Sequence, residues 1–230
     1  MAKKVKEREL EEELIEQKEE VKGSASIEEL VNANRNILLV VLGIILLIAA
    51  GYGFYRYTLQ SKGTEASEEM YQAVYYFEQD SLDKALRGDG QNLGFEDIAD
   101  EYKGTDAANL ATYYLGIIAL RQGDADTGID YLKQFKKGDN MLSMAAYMAL
   151  GFAYEDQGDP GQAASYFVKA AETPGENEHT TPTMLLHAGR NYEAAGQPDR
   201  ARQLYQRIKD EYPTSSEGIN IDKYLGRVAE

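Results

Sequence analysis

The chain has 230 residues, 43% of them hydrophobic, with 24 Lys+Arg against 39 Asp+Glu and a net charge of −15. That composition supports a folded core, while a pI near 4.6 argues against nucleic-acid binding, which needs a basic face. There is no Cys, and only His179 and His187 are present, so disulfides, thiolate metal sites and a Cys nucleophile are excluded and little remains for zinc or general-base chemistry.

Residues 1–36 form a charged arm with seven Lys/Arg and ten Glu. Within it, residues 3–22 (KKVKERELEEELIEQKEEVK) are strong helix formers carrying a narrow apolar stripe of Leu10, Leu14, Ile15 and Val21. The stripe covers barely two heptads, fewer than a coiled coil needs. A solvated helix, a disordered charged arm and a partner-docking helix are the readings it allows. Gly23-Ser24 ends the run, and Ser26 with Glu29 makes a capping box that predicts a second helix from about Ile27.

From Ile37 to Tyr55 the chain reads ILLVVLGIILLIAAGYGFY, nineteen residues without a charge. As a helix this stretch is about 28 Å long, close to the ~30 Å hydrocarbon core of a bilayer. Tyr52, Phe54, Tyr55 and Tyr57 crowd its C-terminal end in the manner of an interfacial aromatic belt. Ala49-Ala50-Gly51 resembles a signal-peptidase site, but a charged arm of 36 residues does not resemble a signal peptide's short basic leader. Residues 37–56 are therefore expected to be an uncleaved transmembrane helix. Lys18, Lys22 and Arg35 on one flank against Arg56 and Lys62 on the other favour a cytoplasmic N-terminus. Residues 57–65 are expected as a linker containing Ser61–Gly63.

Beyond the linker the chain repeats itself. Gly116, Gly151, Gly189 and Gly226 follow apolar helical runs at spacings of 35, 38 and 37. Seven residues after the first three come Gly123, Gly158 and Gly196, opening the turns GDAD, GDPG and GQPD. The middle unit is the clearest: Tyr147-x-x-Leu150-Gly151-x-x-Tyr154 is followed by Gly158, Ala163, Phe167 and Ala170. This resembles the tetratricopeptide repeat, with Tyr147 where that family has Trp. The third unit offers Gly189, Tyr192, Gly196, Ala201, Tyr205 and Pro213. In the first unit Gly128 and Phe135 replace the two small alanines. Residues 95–102 (FEDIADEY) echo 205–212 (YQRIKDEY), which predicts a degenerate early repeat over 66–106. Its first helix falls at Glu68–Leu86, its enlarged turn at 88–92 and its second helix at 93–103. Residues 107–229 then form the tetratricopeptide repeats, with 217–229 as a capping helix. The fold class expected is all-α: a single N-terminal transmembrane helix followed by a tetratricopeptide-repeat α-solenoid.

No Gly-rich phosphate loop, zinc-helix or nucleophile-elbow motif occurs. Asp124-x-Asp126-x-Gly128-x-Asp130 superficially looks like a calcium loop but lacks the distal Glu and lies on a repeat turn. His179 reads as a solvated loop residue and His187 as a satisfied packing histidine. Adjacent acidic pairs such as Glu155-Asp156 diverge by about 100° on a helix and do not converge on a substrate. No catalytic residue, metal, cofactor or small-molecule substrate is expected.

The resemblance to the repeat family implies a concave groove lined by the second, fifth, ninth and twelfth residues of each unit. Those are Leu110, Tyr113, Ile117 and Leu120; Ala145, Met148, Phe152 and Glu155; and Thr183, Leu186, Arg190 and Glu193. The expected partner-binding residues are Tyr113, Ile117, Met148, Phe152, Leu186 and Arg190. The carboxylate-clamping members of the family carry Lys and Asn at such places, whereas Arg190 is the single basic residue among these six. An apolar groove suits an extended hydrophobic segment or a partner helix. Packing of the helix around Met70–Phe77 over the same groove is the competing expectation.

A charged N-terminus, one anchor and a repeat domain, with IEELVNANRNILLVVLGIILLIAAGYGFYRY at residues 27–57, resemble the ancillary subunit of the bacterial SecYEG translocon, the YfgM-like family. The resemblance implies a bacterial inner-membrane protein with a periplasmic repeat domain. It also implies association with the translocon and with periplasmic chaperones or exported chains. Its alternative is a scaffold subunit of another envelope complex, in cell division or cell-wall assembly; an enzyme ranks last.

Overall fold

The computed structural model describes residues 31–32, 34–138, 141–174 and 179–229. The expected arm helix over 3–22 and the capping box at Ser26 lie outside them. The chain divides into two units, Met1–Thr58 and Leu59–Glu230.

In the first unit, helix α1 (Arg35–Glu78, which continues into the second unit) holds the whole charge-free stretch. Its large apolar side chains are exposed along the stretch: Ile37 is 63% exposed and Leu47 75%. The helix is long and apolar enough to cross a membrane.

Residues 57–65, expected as a linker, are helical, because α1 runs through them. The hydroxyls along it turn back onto the helix. Thr58 donates to the Phe54 carbonyl at 3.0 Å, Thr64 to Gln60 at 3.3 Å and Ser67 to Gly63 at 2.7 Å. Such i−4 bonds keep Ser and Thr compatible with a helix that contains no proline.

The second unit is built from α1's C-terminal part, α2 (Leu82–Arg87), α3 (Phe95–Glu101), α4 (Asp106–Arg121), α5 (Ala125–Gln134), α6 (Met141–Asp156), α7 (Pro160–Ala171), α8 (Thr180–Ala194), α9 (Pro198–Glu211), α10 (Ser216–Ile219) and α11 (Asp222–Arg227). No strand occurs among the described residues. The hairpins α4–α5, α6–α7 and α8–α9 follow the three repeat units. The first two turns use the same device. Gly123 and Gly158 take φ of +84° and +75°, and the following Asp124 and Asp159 cap the next helix by accepting from Thr127 N (3.1 Å) and Gln162 N (3.0 Å). Asp124 is thus a cap. Asp126 accepts from Gln157 Nε2 at 2.7 Å.

The helices of a hairpin approach at the recurring glycine. A Cβ on Gly151 falls 2.7 Å from the Phe167 ring, and one on Gly189 falls 2.3 Å from Tyr205. Gly116 meets Leu132 and the Gly128 backbone, so both helices of the first hairpin are bare at their crossing. Phe167, Leu150, Leu185 and Tyr205 are fully buried in one core, which runs from α5 to α11. A second core gathers Ala66, Met70 and Ala73 of α1 with Phe95, Ile98, Ala111, Leu115 and Ile118.

The early repeat differs from expectation at one place. Its first helix, expected over Glu68–Leu86, breaks after Glu78: Asp80 adopts φ +57° and its carboxylate accepts from Arg121 at 2.8 Å, and α2 follows separately. The enlarged turn is anchored by Asp89, which accepts from Gln91 N, Asn92 N and the Tyr76 hydroxyl. At the other end, 217–229 forms two short helices, α10 and α11, in place of one. Ile221 and Val228 still bury there, and Arg202 Nε donates to the Val228 carbonyl at 2.8 Å.

The junction between α5 and α6 is loose. These helices touch at few residues, whereas α6–α7 and α7–α8 pack along their length. Phe135 stands where the middle unit has Ala170. It ends α5, is 4% exposed, and rests 5.6 Å from the Tyr113 ring. Its ring takes the place of a methyl group and joins the core shared with α6. The following loop is tied to α4 by Asn109, which accepts from Lys136 N at 2.7 Å and donates to its carbonyl at 3.0 Å.

Candidate protein-binding groove

Tyr113 and Ile117 lie on α4, Met148 and Phe152 on α6, and Leu186 and Arg190 on α8. Each pair is spaced i, i+4, so each presents one face of its helix. The three pairs occupy matching places on the first helices of successive hairpins. Tyr113, Ile117, Met148 and Leu186 are half-buried, packed at the edge of the α5–α11 core. Burial pushes the Tyr113 phenol above its ordinary range. Phe152 is 40% exposed and Arg190 is exposed. The surface is apolar with a basic end.

Met70 and Ala73 on α1 pack elsewhere, against α3 and the Ala107–Ala111–Leu115–Ile118 side of α4, with Phe77 5.0 Å from Tyr114. This part of α1 therefore belongs to the core of α3 and α4.

His187 adjoins this surface and departs from the satisfied histidine expected. Its ring sits 5.1 Å from Phe152 and 5.0 Å from Phe167. The buried Nδ1 has no hydrogen-bond partner, and the nearest carboxylate oxygen, on Glu155, is 3.9 Å away. Burial lowers the affinity of His187 for a proton, and Glu155 opposes this in part. The signal available in sequence was Glu155 at the twelfth groove position, on the first helix of the hairpin preceding that of His187. What the spacing could not show is that Phe167 closes the ring in from below.

A cleft of about 1010 Å³ opens elsewhere, among α3, α4 and the loop after α5, lined by Asp100, Lys103, Asn109, Phe135 and Lys136 among others. It lies beside the loose α5–α6 junction. Among the described residues no group of three His, Asp or Glu could hold a metal ion.

Residues 184–215, from α8 through α9, match the family model described as tetratricopeptide repeat. Two crystal structures of kinesin light chain TPR-like repeats from Podosopora anserina, one carrying a single substitution, share the fold. They align with TM-scores of 0.50 and 0.51 at 13% and 14% identity, over 72% of this chain and 85% and 86% of theirs. Comparison with curated proteins gave no match. The repeat domain has a tetratricopeptide-repeat-like solenoid fold. Its hairpins follow the register that the glycine spacings set out, with Gly189 and Tyr205 of the matched unit in contact. Such repeats are interaction scaffolds, and the solenoid here presents a protein-binding architecture.

Proposed function

We propose that this chain is a membrane-anchored, non-enzymatic adaptor that binds protein partners through the groove of Tyr113, Ile117, Met148, Phe152, Leu186 and Arg190. The observation that carries the reading is the repetition of one apolar face on three successive hairpins, with Phe152 left open to solvent. A solvent-facing aromatic flanked by half-buried aliphatic groups suits an extended apolar segment or an amphipathic helix. The charge-free part of α1 supplies the anchor, with the N-terminus cytoplasmic and the solenoid in the periplasm of a bacterial inner membrane. On the resemblance of the layout, the partners are the Sec translocon and the chaperones or exported chains that meet it.

Photo-crosslinking from Met148 and Phe152 in native membranes, followed by mass spectrometry, tests this. Crosslinks to translocon subunits, periplasmic chaperones or many exported chains are expected. Crosslinks confined to this chain overturn the groove. A second reading, a scaffold of another envelope complex, draws on the half-buried state of Tyr113, Ile117, Met148 and Leu186 against their own core. Crosslinks to a single division or cell-wall protein would favour it. The absence of native Cys makes topology accessible too: a cysteine introduced at Thr214 is expected to react with an impermeant maleimide from the periplasmic side.

A further inference from the structure

The solenoid carries a second surface, on a different side of α6. Tyr147 and Tyr154 lie roughly 130° around that helix from Met148 and Phe152. Tyr154 stacks on Tyr166 of α7 with ring centroids 5.4 Å apart and planes 4° from parallel; Tyr147 lies 6.4 Å from Tyr166. Three lysines close over these rings from two helices and the loop after α5. Lys133 sits 5.3 Å from the centre of Tyr154, Lys169 4.6 Å from Tyr166, and Lys137 5.6 Å from Tyr147.

The chain carries 15 more acidic than basic groups, yet among the described residues none of these three lysines pairs with a carboxylate. By contrast, Lys103 and Lys209 each hold an Asp at 2.8 Å. Lys137 is half-buried, donates to the Phe135 carbonyl at 3.0 Å and to that of Leu132, and feels the like charge of Lys169. Asp130 acts on Lys133 through space, and the three lysines, outside any ion pair among the described residues, gather as a local positive site in a negative field.

We propose that Lys133, Lys137 and Lys169, on a floor of Tyr147, Tyr154 and Tyr166, bind a short acidic segment of a partner polypeptide. The charge balance selects the length of the ligand. An extended polyanion or an anionic bilayer surface meets the repulsion of the whole acidic chain, whereas a segment of a few residues lies within about one Debye length, ~8 Å, of the lysines. The rings add flat apolar area for the segment's backbone and side chains.

The test uses full-length protein in neutral phosphatidylcholine nanodiscs and a fluorescein-labelled decapeptide of alternating Glu and Ala, followed by anisotropy. Binding is expected at 25 mM salt and to weaken at 200 mM. The double variant Lys133→Gln/Lys169→Gln keeps Lys137, which caps α5, and is expected to bind about fivefold more weakly with an unchanged helical spectrum. Tyr166→Ala tests the floor with all lysines retained and is expected to weaken binding severalfold. Met148→Ala, in the groove, is expected to leave it unchanged. Equal affinity in the wild type and the lysine variant overturns the proposal. So does equal binding of a Lys-Ala decapeptide. Lysine-dependent capture by vesicles containing 30% phosphatidylserine, without peptide binding, overturns it in favour of a lipid surface.

Discussion

Replacing Gly189 by Ala tests whether the glycine register sets the approach of the hairpin helices. The new methyl carbon would lie 2.3 Å from Tyr205 Cε1, 2.8 Å from Cζ and 2.9 Å from Cδ1, where carbon atoms rest at about 3.5–4.0 Å. Tyr205 cannot swing aside easily. It is fully buried, its hydroxyl donates to the Glu193 carboxylate, and Tyr224 lies 5.4 Å from its ring. The helices α8 and α9 must therefore part. Overpacking of this kind costs about 1–3 kcal/mol, placed here near the upper end, and the better helix propensity of Ala returns about 1 kcal/mol. The net loss is about 1–2 kcal/mol, which lowers Tm by about 2–8 °C for a domain of this size. Thermal unfolding of the purified full-length protein, followed by circular dichroism at 222 nm, measures it. Gly151→Ala meets Phe167 at 2.7 Å, a ring without a tethering hydroxyl, and is expected to lose less. Gly226→Ala meets nothing within 4 Å and is expected to match or slightly exceed the wild-type midpoint. If Gly189→Ala unfolds at the same temperature as Gly226→Ala, close approach at this glycine does not hold the hairpin together.

Two further outcomes follow from the same geometry. Tyr205→Phe keeps the ring and removes the bond to Glu193, whose carboxylate retains Arg227 at 3.0 Å; a loss of about 1 kcal/mol is expected in chemical denaturation. His187 has a folded-state pKa below its ordinary 6.5 because burial disfavours the charged ring. The unfolded chain therefore takes up the proton first as pH falls. The contribution of His187 is full above pH 6.5 and declines below it until the folded-state pKa is reached. His187→Gln should remove that part of the slope, so its stability difference from wild type must change between pH 7.5 and 5; a constant difference refutes the argument.

The fold was largely legible because its rules are local and repeated. Gly151 and Phe167, sixteen residues apart in a hairpin, recur as Gly189 and Tyr205, and the Gly-Asp turns state both the left-handed residue and the cap. The weak first unit was legible too, since Phe135 in the place of Ala170 is visible in sequence, although the loose α5–α6 junction is not. The helical course of 57–65 is not legible because Thr58, Thr64 and Ser67 look the same whether they cap a turn or bond back to a carbonyl. The break at Asp80 depends on Arg121, forty-one residues away. In the groove, residue positions followed from register. The closure of His187 by Phe167, and the gathering of Lys133, Lys137 and Lys169 over three tyrosines, depend on how separate hairpins stack.

The loose α5–α6 junction bears on how the solenoid comes apart. In a linear array of repeats, stability is a sum of unit terms and nearest-neighbour couplings, and cooperativity is only as long-ranged as its weakest coupling. That coupling is small between α5 and α6, where Ile129, Leu132 and Phe135 join the core of the later hairpins, while α1, α3 and α4 keep a core of their own. The array then behaves as two foldons sharing one seam: amide protection on the α6–α9 side should survive denaturant that has already released α2 and α3.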